Sequence, residues 1–196
     1  MRPDAATLRL ALLPRGGILA DLALVTLGAA LVALGAQISI ALPFTPVPIT
    51  AQTFAVVLVG GSLGVVRGAA SLSLYVLLGL VGVPVYSDGG SGWDVISGAT
   101  GGYLIGFVAA AALAGALAER RLDRRLSSSI AAMLTANVVV YLVGVPWLAA
   151  AADYGLEEAL EKGLYPFVVG DLVKLYLAGA LLPAAWKFVE RTRARS

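Results

Sequence analysis

Six stretches of roughly 17–25 residues each run almost without charge, and that pattern restricts the fold before any motif does. A bilayer core of ~30 Å is crossed by ~20 apolar helical residues, because lipid leaves every backbone N–H and C=O to be bonded within the chain. The stretches lie at about 17–40, 50–66, 68–84, 100–118, 128–150 and 165–187. Hydrophobic residues make up 59% of the chain and charged residues 13%, against ~45–50% and ~25% in soluble domains. The expectation is an all-α, polytopic membrane protein of six transmembrane helices, organised as one membrane domain over 1–196.

Charge placement orients those helices. Six alternating spans put the N-terminus, the turn near 66–68, the segment 119–127 and the C-terminus on one side. Twelve of the 14 basic residues fall there: Arg2, Arg9, Arg15, Arg67, Arg120, Arg121, Arg124, Arg125, Lys187, Arg191, Arg193 and Arg195. Positive charge marks the cytoplasmic face, so both termini are expected inside the cell. The first apolar run is longer than the ~7–15 residues of a signal peptide core and is interrupted by Asp21 and Gln37, which favours a retained span.

The chain holds no Cys and no His, so thiolate or imidazole metal sites, disulfides and Cys- or His-based nucleophilic machinery are excluded. "GGSLGVVRG" lacks the Lys-Ser/Thr ending of a phosphate loop, so any use of ATP belongs to another chain. An enzyme is disfavoured, and no pattern calls for nucleic acid.

Three segments, 41–49, 85–99 and 151–164, then fall on the outer side. In "PFTPVPITAQTF" the prolines 43, 46 and 48 fix φ and stiffen the first of them. Thr50 is placed to cap the second span, with Gln52 and Thr53 on its first turn. In "GDLVKLY", Asp171 and Lys174 stand at i and i+3 and share a helix face inside the last span. Each costs about 2.5–3.5 kcal/mol in mid-bilayer, so the pair either locks helices together or forms a polar substrate site. Asn137 and Tyr141 share a face of the fifth span, and Tyr103 lies near the outer end of the fourth. Ala29 and Ala33 make a small-residue pair on the first span, suited either to internal packing or to docking of another subunit.

Taken in order, "PFTPVPITAQTF", "GVPVYSDGGSG", "GATGGYLIGF", "YLVGVPWLA" and "FVVGDLVKLYLA" resemble the BioY family, the biotin-specific substrate-binding (S) components of energy-coupling factor (ECF) transporters, over about residues 17–188. The resemblance implies capture of biotin from outside the cell, with biotin as substrate and no cofactor, in the cell (inner) membrane. It also implies partnership with a transmembrane T component and two cytoplasmic ATPases, and leaves a homo-oligomer open. Asp171 and Lys174 then map to the biotin site, segment 43–53 to a lid, and Ala29 and Ala33 to the T-component contact. Thr45, Gln52 and Thr53 would offer hydrogen bonds, and Asn137 and Tyr141 join the candidates. Trp93 and Tyr103 would cover the thiophane ring and alkyl chain. Lys174 would pair the valerate carboxylate, or else neutralise Asp171 while Asp171 takes a ureido N–H.

Overall fold

The computed structural model describes residues 6–13 and 16–194; Arg2, Arg15 and Arg195 lie outside the described residues. It is helical nearly throughout. A short α1 (Leu8–Leu12) precedes the apolar α2 (Ile18–Gln37), and a two-residue antiparallel pairing, β1 (Ser39–Ile40) with β2 (Ile49–Thr50), closes the proline-rich segment. Then come α3 (Gln52–Leu63), α4 (Val65–Leu80), α5 (Trp93–Ser97), α6 (Gly101–Glu119), α7 (Leu126–Ala152), α8 (Leu156–Gly163) and α9 (Tyr165–Ala194).

Four of these, α2, α6, α7 and α9, are long and apolar enough to cross a membrane. The expected second and third spans are shorter, 12 and 16 residues, or ~18 and ~24 Å of helix. They meet at Gly64 alone, which ends α3 and begins α4 at φ +86°. Only glycine adopts that conformation without a Cβ penalty, which is how a turn of one residue reverses the chain. The expected turn at 66–68 is therefore earlier, and Arg67 sits inside α4. The N–H of Val65 donates to Glu119 at the end of α6 (3.0 Å), so Gly64 lies at the far end of the bundle from Gln52.

The helix α6 runs through the middle, packed on α3, α4 and α7, with 61% of its apolar stretch buried. Its buried residues include Gly102, Gly106, Ala110, Ala114, Gly115 and Ala118, small residues that let neighbouring backbones close in. The helix α2 is the opposite case at 22%, with Leu19, Leu27 and Leu34 at 65–79% exposure. Apolar side chains so exposed on such helices fit lipid rather than water.

The two ends differ. At one end α1 packs on α9, with Leu8 and Ala11 in a cluster with Leu182, Trp186 and Val189. There Asp21 holds Arg9 and Arg67 (2.6 and 2.7 Å). Asp123, in the α6–α7 turn, is fully buried, accepts from the Trp186 indole N–H and faces Arg124, which stacks 3.3 Å above the Trp186 ring. At the other end the segments expected as outer loops carry structure of their own, α5 within 85–99 and α8 within 151–164.

Candidate functional site

The acid–base pair of α9 stands on the floor of a cavity. Asp171 is 4% exposed, and its Oδ1 lies 2.5 Å from the Lys174 ammonium. Three helices converge on that carboxylate. The hydroxyl of Thr53 on α3 donates to Oδ1 (3.0 Å), while Asn137 Nδ2 (2.8 Å) and the Tyr141 hydroxyl, both on α7, donate to Oδ2. Lys174 donates a second time, to the Thr50 carbonyl at the root of the proline-rich segment (2.9 Å). A charge pair taken into a low-dielectric interior persists when its remaining lone pairs and protons are satisfied, and here four donors serve one carboxylate.

Above this floor is a cavity of about 570 Å³, its mouth included. Its walls come from Val47, Pro48 and Thr50 of the proline-rich segment and from Tyr103, Leu104 and Phe107 of α6. Val140 and Tyr141 of α7, and Phe167 of α9, complete the apolar side. Gln52 and Thr53 enter from the first turn of α3, Tyr86, Ser87 and Val95 from segment 85–99, and Thr100 from the cap of α6.

Tyr86 fixes that last wall. Its ring fills the space over Gly79, where a Cβ would come within 2.1 Å of it, and its hydroxyl donates to the Val76 carbonyl of α4 (2.6 Å). Burial pushes this phenol up to about 12. Tyr75, edge-on to Tyr86 at 5.6 Å, accepts from Gln52 Nε2 (2.8 Å). A polar chain thus crosses the pocket from Tyr75 through Gln52, Thr50 and Lys174 to Asp171.

Several expected site residues meet here: Asp171, Lys174, Tyr103, Gln52, Thr53 and Tyr141 all line the cavity. Asn137 does not; it stands behind Asp171 and supports it. Thr45 is displaced from its expected place, for its hydroxyl reaches past the cavity to the Lys162 carbonyl of α8 (2.6 Å). Trp93 is 66% exposed at the start of α5 and covers nothing in the cavity. Thr50 is not the cap of α3: Ala51 takes that position, although Gln52 N–H still donates to the Thr50 hydroxyl (3.3 Å). Ala29, at 2% exposure, belongs to the core, and Ala33 is half-buried against it, so this pair faces its own bundle and not open lipid. Phe107, Phe167 and Leu104 went unnoticed in the sequence because they repeat the apolar character of the spans around them.

Fold and site together define a membrane protein of bundled apolar helices that carries a small-molecule cavity at one end. The chain belongs to the BioY family, whose family model matches residues 6–191. The probable biotin transporter BioY of Pyrococcus horikoshii is 40% identical over 154 residues, covering 79% of this chain and 88% of the relative. The biotin transporter BioY of Rhizobium etli is 38% identical over 169 residues, 82% of this chain and 90% of the relative. Among solved structures, the S-component for biotin from an ECF-type ABC transporter matches with a TM-score of 0.78 and 26% identity, covering 86% of this chain and 92% of that one.

Proposed function

We propose that this chain is the biotin-binding S component of an ECF-type importer. It binds biotin in the cavity above Asp171 and Lys174, and the cavity end faces the outside of the cell. The observation that carries the reading is the buried, already neutralised Asp171–Lys174 pair at the end of a mostly apolar cavity. A carboxylate ligand at that depth would bring a second negative charge beside Asp171. A cyclic urea brings one acceptor oxygen for the ammonium and N–H donors that would exchange with one of the four already on the carboxylate, with no net charge. The ureido ring therefore goes down and the valerate carboxylate points to the mouth. Phe107, Tyr103 and Phe167 supply apolar cover for the thiophane and chain.

Transport rather than catalysis is supported by the relatives, which are biotin transporters, and by a floor whose acid and base are paired with each other. Uptake would be driven by a T component and two ATPases in the cell (inner) membrane. The T component would meet the outward side of α2, around Leu27, Ala30 and Leu34, in place of Ala29. The six-span topology with both termini cytoplasmic is kept: α3 and α4, though short, each run between the cavity end and the Glu119 end.

Binding to the protein purified in detergent tests this. Biotin should raise the melting temperature where thiamine and riboflavin do not, and Lys174→Ala should weaken biotin binding about 10–100-fold, the worth of a hydrogen bond to a charged group. A shift with another vitamin and none with biotin overturns the reading.

A further inference from the structure

The proline-rich segment 41–48 forms one wall of the cavity and also separates it from an outer depression. Pro48, Ser87, Val95 and Thr100 line both spaces, so these residues are the partition a ligand must pass. One side of that partition is nailed down. In segment 85–99, Tyr86 bonds the Val76 carbonyl, Gly92 N–H donates to Gly79 O (2.7 Å), Gln37 donates to Tyr86 O (3.1 Å), and Trp147 donates to Gly98 O (3.0 Å). Among the described residues, segment 41–48 is joined to another element by a single hydrogen bond, from Thr45 Oγ1 to the Lys162 carbonyl (2.6 Å). The same hydroxyl accepts from Val47 N–H (3.1 Å), which fixes the turn that lays Val47 and Pro48 on the cavity.

The acceptor is notable for where it lies. Lys162 and Gly163 are the last residues of α8, whose terminal carbonyls have no partner within the helix. The neighbouring carbonyl, that of Gly163, accepts from the Tyr103 hydroxyl (2.9 Å), and Tyr103 is a wall of the cavity. Two adjacent carbonyls of one helix end thus hold the proline-rich wall and a cavity-lining ring.

We propose that Thr45 is a positioning residue, the latch that keeps segment 41–48 shut on the end of α8, and that α8 couples the latch to cavity occupancy through Tyr103. This rests on the binding reading above but does not require the ligand to be biotin. A ligand packed against Tyr103 holds its hydroxyl on Gly163, which holds α8 where Thr45 can reach it. Release requires the hydroxyl to leave Lys162 O and the segment to swing away from Val95 and Thr100.

Two measurements test the latch. In a chase experiment on biotin-loaded protein, Thr45→Val should speed dissociation about 3–10-fold, the worth of one buried hydrogen bond, with association changed less. Thr45→Ser should restore the parent rate, and Lys162→Ala should leave it unchanged, since the acceptor is main chain. Hydrogen exchange across 41–50 in the ligand-free protein should also be faster in Thr45→Val than in Thr45→Ser. Equal rates for Val, Ser and parent overturn the latch, as does equal acceleration by Val and Ser. If the parent fails to bind biotin, the functional reading falls and the exchange experiment still decides the latch.

Discussion

Asp171 takes hydrogen bonds from four side chains on three helices, and the consequences of substitution differ by which member is removed. Removing the carboxylate leaves the Lys174 charge buried without its counter-ion, a cost of about 3–5 kcal/mol. Asp171→Ala should therefore lower the melting temperature of the ligand-free protein as well as abolish binding. Thr53→Val removes one donor of four and should cost only about 1 kcal/mol, with binding weakened but present. Thermal unfolding in detergent with and without biotin distinguishes the two, and equal losses would contradict the shared network. Gly79→Ala is a purely steric case: the new methyl would enter the Tyr86 ring and cost about 1–3 kcal/mol unless segment 85–99 shifts. The pairing of Asp171 with Lys174 was legible because i and i+3 fix a helix face. Their partners Thr53 and Thr50 are 118 and 124 positions away, and no local rule carries that distance. Thr45 stands out in the sequence for its hydroxyl, but its bond to the Lys162 carbonyl is not legible there, since a sequence does not show that α8 folds back over the cavity rim.

Among the elements, the long helices were visible and their inner faces were not. A helix in lipid is apolar all round, so periodicity cannot separate Phe107, which lines the cavity, from Leu27, which is exposed on the outside of the bundle. For the same reason Ala29 and Ala33 were open to two readings. The α6–α7 turn shows what holds elements in register at the end away from the cavity. Asp123 is sealed under Trp186 and Arg124, tying the turn to the last turns of α9. Burial raises its carboxyl above the ordinary 3.8, outweighing the Trp186 hydrogen bond and the Arg124 charge. The native state therefore holds that proton more tightly than the unfolded chain. Its contribution to stability is greatest below the unfolded value and falls as the pH rises through the raised one. Asp123→Asn keeps an acceptor for the indole and deletes the titration. Its melting temperature relative to the parent should climb as the pH rises above the ordinary 3.8, read by thermal scans at increasing pH. A flat difference would mean that the carboxyl is not destabilised by its burial.

Over the whole molecule the two ends carry opposite chemistry. The cavity end bears Asp88, Asp94, Asp153, Glu157, Glu158 and Glu161 on its connecting segments, whereas Arg9, Arg67, Arg120, Arg121, Arg124 and Arg125 gather at the other. Since basic segments stay on the cytoplasmic side, this asymmetry supports the orientation proposed above, with the cavity outward and both termini inward. The absence of cysteine makes that testable without background labelling. Glu157→Cys on α8 and Ser127→Cys on α7 both replace exposed residues, one at each end. In intact cells a membrane-impermeant maleimide should modify position 157 alone, and position 127 should react only after the membrane is opened. The reverse pattern would turn the cavity toward the cytoplasm and remove the basis for capture from outside. Modification of both in intact cells would mean that α7, the helix between the two positions, does not cross the membrane.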